Sequence, residues 1–293
     1  MRSKVGTALV LGGGGPVGIA WEAGLLIGLL TAGIPLDQAD AVIGTSAGSV
    51  VGATLTVGAD LHELVELAKS PLPLPEGKVV DLAAMQAAVT SIAAEADSQA
   101  SALTAIGNLA MRSDTVAEDA FLKSPQFTAF AGRAWPRSFS CTAIDVSTGQ
   151  LRILDQTSNV SLDRAVAASC AVPTIFPPVT VGPSRYIDGG MSSTLNANLA
   201  HAHERVLVVS CFALTLPDTA PASLRAAGEQ QMAELNGLRK AGATVTVIEP
   251  DAEFLAISGW GAEVMNINQV AVAYQAGLRL GEVTATRVLG IGT

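Results

Sequence analysis

The chain has 293 residues, 49% apolar and only 15% charged, enough for one large α/β domain or two small ones with a sizeable core. A net charge of −9 argues against a nucleic-acid partner and against electrostatic capture by anionic membranes, so any lipid contact has to be apolar. Cys141, Cys170 and Cys211 are widely spaced and odd in number, with no CxxC or metal pattern, which fits a reduced, cytoplasmic setting.

The first residues show no signal-peptide pattern. Residues 7–11 read as a buried parallel strand that ends in a glycine-rich turn, Gly12-Gly13-Gly14-Gly15-Pro16-Val17-Gly18. Residues 19–32 read as a helix stopped by Gly33 and Pro35. This is part of the longest apolar run, 18–30, which contains Glu22 and is too short to span a bilayer. Residues 41–43 form a second strand leading into Gly44-Thr45-Ser46-Ala47-Gly48, and 49–57 continue as a tightly packed helix. Strand, helix, strand, helix at this spacing implies right-handed parallel crossovers.

A proline-rich connector at 70–75 precedes an alanine-rich region. There Leu82, Met85, Val89, Ile92, Leu103, Ile106 and Ala110 keep a three-and-four spacing, the mark of a helical hairpin or long helix with one apolar face. That face either packs on the domain or forms a mobile cap that meets lipid. Residues 137–145 and 150–154 read as a hairpin turning at Ser147-Thr148-Gly149. A short helix at 162–169 runs into a proline-rich loop at 170–178, and a strand at 185–187 ends in Asp188-Gly189-Gly190. Residues 205–212 and 244–248 are further buried strands, and 264–289 is a closing helix or two.

Three turns carry the chemistry. In Gly-x-Ser-x-Gly the glycines Gly44 and Gly48 let the chain turn sharply, so that Ser46 is held exposed at the N-terminus of a helix, where backbone donors and the helix dipole favour negative charge. That is the geometry of an acyl-transfer nucleophile. Gly13 to Gly18 matches Gly-x-Gly-x-x-Gly, commonly a dinucleotide loop. Such a loop wants an acidic residue at the end of the second strand; Asp37 and Asp40 precede that strand instead. The better reading is an oxyanion hole built from the N–H groups of Gly13, Gly14 and Gly15, with Gly18 as part of the motif. Asp188 is the candidate base. Of the three histidines, His62 sits in a charged helix, and His201 and His203 look like surface residues, although the order Ser, Asp, His matches a triad. A Ser46–Asp188 dyad depends on a desolvated carboxylate and strong oxyanion stabilisation. The bland alternative leaves each motif as a plain turn.

Together these motifs resemble the patatin-like phospholipase family. The glycine loop Gly13 to Gly18, the elbow Gly44 to Gly48, the later Asp188-Gly189-Gly190 and the segment Ala168-Ser169-Cys170-Ala171-Val172-Pro173 stand in the family's order. The resemblance covers residues 5–60 and 135–195. It implies a three-layer α/β/α sandwich with a mixed, largely parallel sheet, and by this reading residues 1–293 are a single domain with a helical insert or cap at about 72–130. It implies Ser46 as nucleophile, Asp188 as base, the Gly13–Gly15 amides as oxyanion hole, and no metal or cofactor. The implied activity is that of a serine acyl-hydrolase of lipase, phospholipase A or lysophospholipase type, acting on lipid acyl esters. Transient contact with a membrane surface through apolar helices would place it in the cytoplasm or at the membrane periphery. The family's loop often carries Arg or Lys just before its last glycine; here Val17 stands there, so neutral esters and lysolipids are as well suited as diacyl phospholipids. Transfer of the acyl group to an alcohol, and a non-catalytic nucleotide- or phosphate-binding module, remain the alternatives.

Overall fold

The computed structural model describes residues 6–289; the reading made of the first residues of the chain falls largely on residues 1–5, outside that range. Among the described residues eight strands form one mixed, mostly parallel sheet flanked by helices. Strand β1 (Thr7–Leu11), helix α1 (Gly15–Thr31), strand β2 (Ala41–Gly44) and helix α2 (Ala47–Thr56) open the fold, followed by α3 (Leu61–Ala68). Helices α4 (Leu82–Glu95), α5 (Gln99–Arg112), α6 (Glu118–Leu122) and α7 (Pro125–Thr128) come before β3 (Phe139–Asp145) and β4 (Leu151–Leu154). The chain continues through α8 (Leu162–Ser169), β5 (Val179–Val181), β6 (Ser184–Asp188), β7 (Arg205–Val209), α9 (Ala222–Lys240), β8 (Thr244–Ile248), α10 (Ala252–Ile257) and α11 (Val270–Leu289).

The order across the sheet is β5-β6-β3-β2-β1-β7-β8, with β4 added on β3. Strands β3, β2, β1, β7 and β8 run parallel. Strands β4 and β6 run antiparallel to β3, and β5 antiparallel to β6. The central parallel strands β1, β2 and β7 are near-continuous apolar runs, as strands covered by helices on both faces require.

Helix α1 is almost wholly buried. It packs along α11 at backbone distance: a Cβ at Gly28 would stand 2.8 Å from the Leu278 carbonyl oxygen and 2.9 Å from the Gly281 Cα. Trp21 of α1 stacks on Phe254 of α10, ring centres 4.6 Å apart. On the far side of the sheet, α5 buries Leu103, Ile106 and Ala110 against Ile144 of β3 and Ile187 of β6.

Several elements differ from expectation. Helix α1 begins at Gly15 rather than at residue 19, because Pro16 fits a first helical turn, where no N–H is required of it. The second half of the glycine motif is therefore helix. Of the two readings of the apolar stripe over 82–110, the pair of helices is the one found, the second capped at Ser98, whose hydroxyl and backbone form a capping box with Ser101. The closing segment is a single helix from Val270, preceded by the short α10. Helix α9 gave no sequence signal: its 19 residues are largely polar, include Gly228 and Gly237, and bury only a thin stripe of Gly228, Gln231, Leu235 and Leu238. Among the described residues no helix is long and apolar enough to cross a membrane.

Candidate active site

Strand β3 sets the geometry. Gly44, at the end of β2, pairs with Cys141. Asp188, at the end of β6, pairs with Ala143 on the same strand. Because β6 runs down the upper half of β3, its last residue arrives level with the turn that follows β2. Ser46 and Asp188, distant in sequence, therefore face each other across the Thr142 position.

Ser46 sits at φ 52°, ψ −115°, a backbone conformation that L-residues rarely adopt. Strain of this kind costs roughly 1–3 kcal/mol and persists only where the surroundings enforce it. Here they do. The Ser46 N–H donates to Ser169 Oγ at 3.0 Å, and the Ser46 carbonyl accepts from Ser49 Oγ at 2.6 Å and from the Cys170 thiol at 3.3 Å. The glycines admit this turn: a Cβ at Gly44 would lie 2.5 Å from the Gly48 carbonyl oxygen, and one at Gly48 would strike the Leu11 carbonyl.

Asp188 is almost fully buried. Its carboxyl accepts from the Gly190 N–H at 2.7 Å. The Ser46 hydroxyl is its side-chain neighbour and opposes the effect of burial, but no bond of normal length and angle has closed between the two. Catalytic hydrogen bonds are often this loose before substrate binds. Burial dominates and pushes the Asp188 pKa up to about 7, against the lowering contacts of Ser46 and Gly190.

The glycine loop lies beside Ser46. The Gly13 N–H is already committed to the Thr194 carbonyl at 2.8 Å, and the Ser46 N–H to Ser169. Of the three expected donors, Gly13 is the one whose N–H already has a protein acceptor. The N–H groups of Gly14, Gly15 and Ala47 have no protein acceptor among the described residues. Gly18 lies inside α1, its Cα hydrogens toward Cys211. Under the loop Glu22, read in the sequence only as a charge interrupting an apolar run, is completely buried, and its Oε1 accepts the Gly12 N–H at 3.0 Å. Burial drives its pKa well above the ordinary carboxylate value, against the lowering contacts of Gly12 and Cys211.

A narrow apolar recess of about 40 Å³ adjoins Ser46. Its walls include Leu72, Phe121, Phe127, Val172 and Phe176. Phe121 stacks on Phe176 at 4.8 Å and meets Phe127 edge-on at 5.0 Å.

The histidines stand elsewhere. Thr7 pairs with Arg205 at the starting ends of β1 and β7, and His203, two residues before Arg205, acts on Asp40, whose carboxyl takes the Thr7 N–H at 2.7 Å. That is the opposite end of the strands from Ser46, roughly 15 Å away at about 3.3 Å per residue. His201 is exposed and lies 3.2 Å, Nδ1 to oxygen, from the Asn198 carbonyl, and His62 pairs with the Tyr274 hydroxyl at 3.0 Å. Among the described residues no group of three or more His, Cys, Asp or Glu side chains is placed to hold a metal ion.

A serine on a strained strand-to-helix turn, in a mostly parallel sheet flanked by helices, is an α/β arrangement. The sequence matches the family model of the patatin-like phospholipases over residues 9–201, and the chain belongs to that family. Membership supports lipid acyl-hydrolase activity. Among solved structures, VipD from Legionella pneumophila aligns at 13% identity and TM-score 0.42, over 96% of this chain and 67% of its own. The type III effector protein ExoU aligns at 17% identity and TM-score 0.43, over 96% of this chain and 53% of its own, so the chain spans about half of that protein. No curated protein matches the sequence.

Proposed function

We propose that the protein is a serine acyl-hydrolase that cleaves lipid acyl esters, in the manner of a lipase, phospholipase A or lysophospholipase, through Ser46 and Asp188. Ser46 Oγ attacks the ester carbonyl while the Asp188 carboxylate takes its proton. The oxyanion that forms accepts hydrogen bonds from the free N–H groups of Gly14 and Gly15, joined by Ala47 at the start of α2. Collapse expels the alcohol, protonated by Asp188, and leaves an acyl group on Ser46. Water, deprotonated by Asp188, then releases the acid and restores the serine. An aspartate of ordinary pKa is a poor base for a hydroxyl; a buried one, with its pKa near neutrality, is better matched.

The observation that carries this reading is the juxtaposition of a strained, half-buried serine beside the apolar recess with a buried carboxyl and unspent backbone donors. Labelling with a fluorophosphonate tests it, the modified residue being read by mass spectrometry. Ser46 takes the label, Ser46→Ala and Asp188→Asn abolish labelling and ester hydrolysis, and His201→Ala and His203→Ala leave both intact. Loss of activity in either histidine variant would replace the dyad with a triad.

A further inference from the structure

A side chain that the motifs did not mark joins the two halves of this site. Asn196 is 1% exposed, in the loop between Asp188 and β7. Its Nδ2 donates to the Ser193 carbonyl at 2.7 Å and to Thr45 Oγ1 at 3.1 Å. The Gly189 carbonyl stands at 3.4 Å and Thr142 Oγ1 at 3.5 Å. Thr45 and Thr142 share a hydrogen bond of 2.9 Å between their hydroxyls. Thr45 is the residue before Ser46, Gly189 the residue after Asp188, and Thr142 the strand position between them. One amide thus touches all three segments whose alignment sets the Ser46-to-Asp188 distance.

The residue type follows from the partners. Carbonyl oxygens only accept, so the group facing Ser193 and Gly189 has to be a donor. Asn supplies the NH2, and an Asp of the same shape would set a carboxylate oxygen against two carbonyl oxygens. The backbone of Asn196 is left-handed, φ 51° and ψ 36°, a conformation Asn tolerates better than most side chains. In so dry a place, deleting one member leaves the others without partners.

We propose, building on the reading of Ser46 and Asp188 as the reacting pair, that Asn196 is a positioning residue that clamps the serine elbow to the Asp-Gly-Gly turn through Thr45, Thr142 and the Gly189 carbonyl. Its contribution falls on the chemical step. A misplacement of about 1 Å at a reacting centre can cost on the order of 100-fold in rate. The clamp touches neither the apolar recess nor the oxyanion donors, so substrate affinity is untouched.

Asn196→Gly is the sharper variant, because glycine accepts the left-handed backbone and removes only the amide. Circular dichroism and thermal melting establish that the variant is folded, and ester kinetics and the rate of fluorophosphonate labelling then read the effect. We expect kcat and the labelling rate to fall about 10- to 100-fold, with KM within about twofold of the parent. Asn196→Asp, which keeps the shape and reverses the donor, falls at least as far. A folded Asn196→Gly with kcat within about threefold of the parent, or with its loss confined to KM, overturns the proposal. Should the glycine variant fail to fold, Thr142→Val removes the hydroxyl that bridges the clamp; a kcat decrease there supports the proposal and an unchanged kcat overturns it. A parent protein that labels at Ser46 while Asn196→Gly labels equally fast rejects the clamp alone. A parent that neither labels nor hydrolyses esters rejects the reading of the pair, and the clamp with it.

Discussion

The Ser46 hydroxyl and the Asp188 carboxyl meet across β3, the serine delivered by a parallel neighbour of that strand and the aspartate by an antiparallel one. The antiparallel arrival matters: it brings the end of β6 into the interior beside Ala143, where water is excluded, and the pKa of Asp188 rises to about 7 for that reason first. In its proposed role as base, Asp188 works only when ionised. The expected pH profile of kcat/KM is therefore a single acid limb with its midpoint near 7 and a plateau above it. Stability moves the other way. The folded pKa lies above the unfolded value of about 3.9, so the stabilising contribution is full below pH ~4 and is lost as pH rises through about 7. Asp188→Asn removes the buried charge. Thermal melts should show that variant inactive yet more stable than the parent at pH 8, with the gap closing as the pH is lowered toward 4. Equal stability at pH 8 would mean that Asp188 carries no such charge penalty.

The elbow and its helix were legible in the sequence because they are local. An apolar strand, two glycines around Ser46 and a small-residue helix are spelled out within 20 residues, and Asp188-Gly189-Gly190 follows a short strand, Arg185-Tyr186-Ile187. The surroundings were not legible, because they come from contacts across long separations. The Gly13 N–H is spent on Thr194, and Asn196 reaches Thr45, 151 positions away. Helix α9 supports the same loop through Gln231, which donates to Thr194 Oγ1 at 2.6 Å, and Glu234, which accepts the Ala197 N–H at 2.8 Å. Its apolar stripe is too thin for periodicity to reveal it. Hydrophobic patterning reports which face is buried, and it is silent where a polar side chain is buried to hold a loop.

The recess beside Ser46 makes a prediction about chain length. Its volume of about 40 Å³ is close to the share of one water in the liquid, whereas pockets that enclose whole ligands run to roughly 300–1,000 Å³. Phe127 forms part of its wall and packs edge-on against Phe121. Replacing Phe127 with Leu shortens that wall and keeps an apolar filling. With p-nitrophenyl esters, the ratio of kcat/KM for the octanoate to that for the acetate should rise several-fold in Phe127→Leu, at a stability cost of about 1–2 kcal/mol. An unchanged ratio would mean that the acyl chain lies elsewhere.

The strain at Ser46 can be measured apart from catalysis. At φ 52°, ψ −115° an alanine keeps the Cβ clash that serine suffers, whereas glycine does not. Both replacements remove the hydroxyl, and both should be inactive. They should differ in stability: Ser46→Gly is expected to exceed Ser46→Ala by about 1–2 kcal/mol, the strain released less the greater flexibility of glycine in the unfolded chain. Against the parent, Ser46→Gly should melt a few degrees higher, because it relaxes the backbone while leaving the Ser169 contact to the residue 46 N–H in place. Chemical denaturation of the three proteins gives the comparison directly. If the alanine variant is as stable as the glycine one, the turn relaxes in solution to a conformation open to any residue, and the hydroxyl is not held toward Asp188 by its backbone.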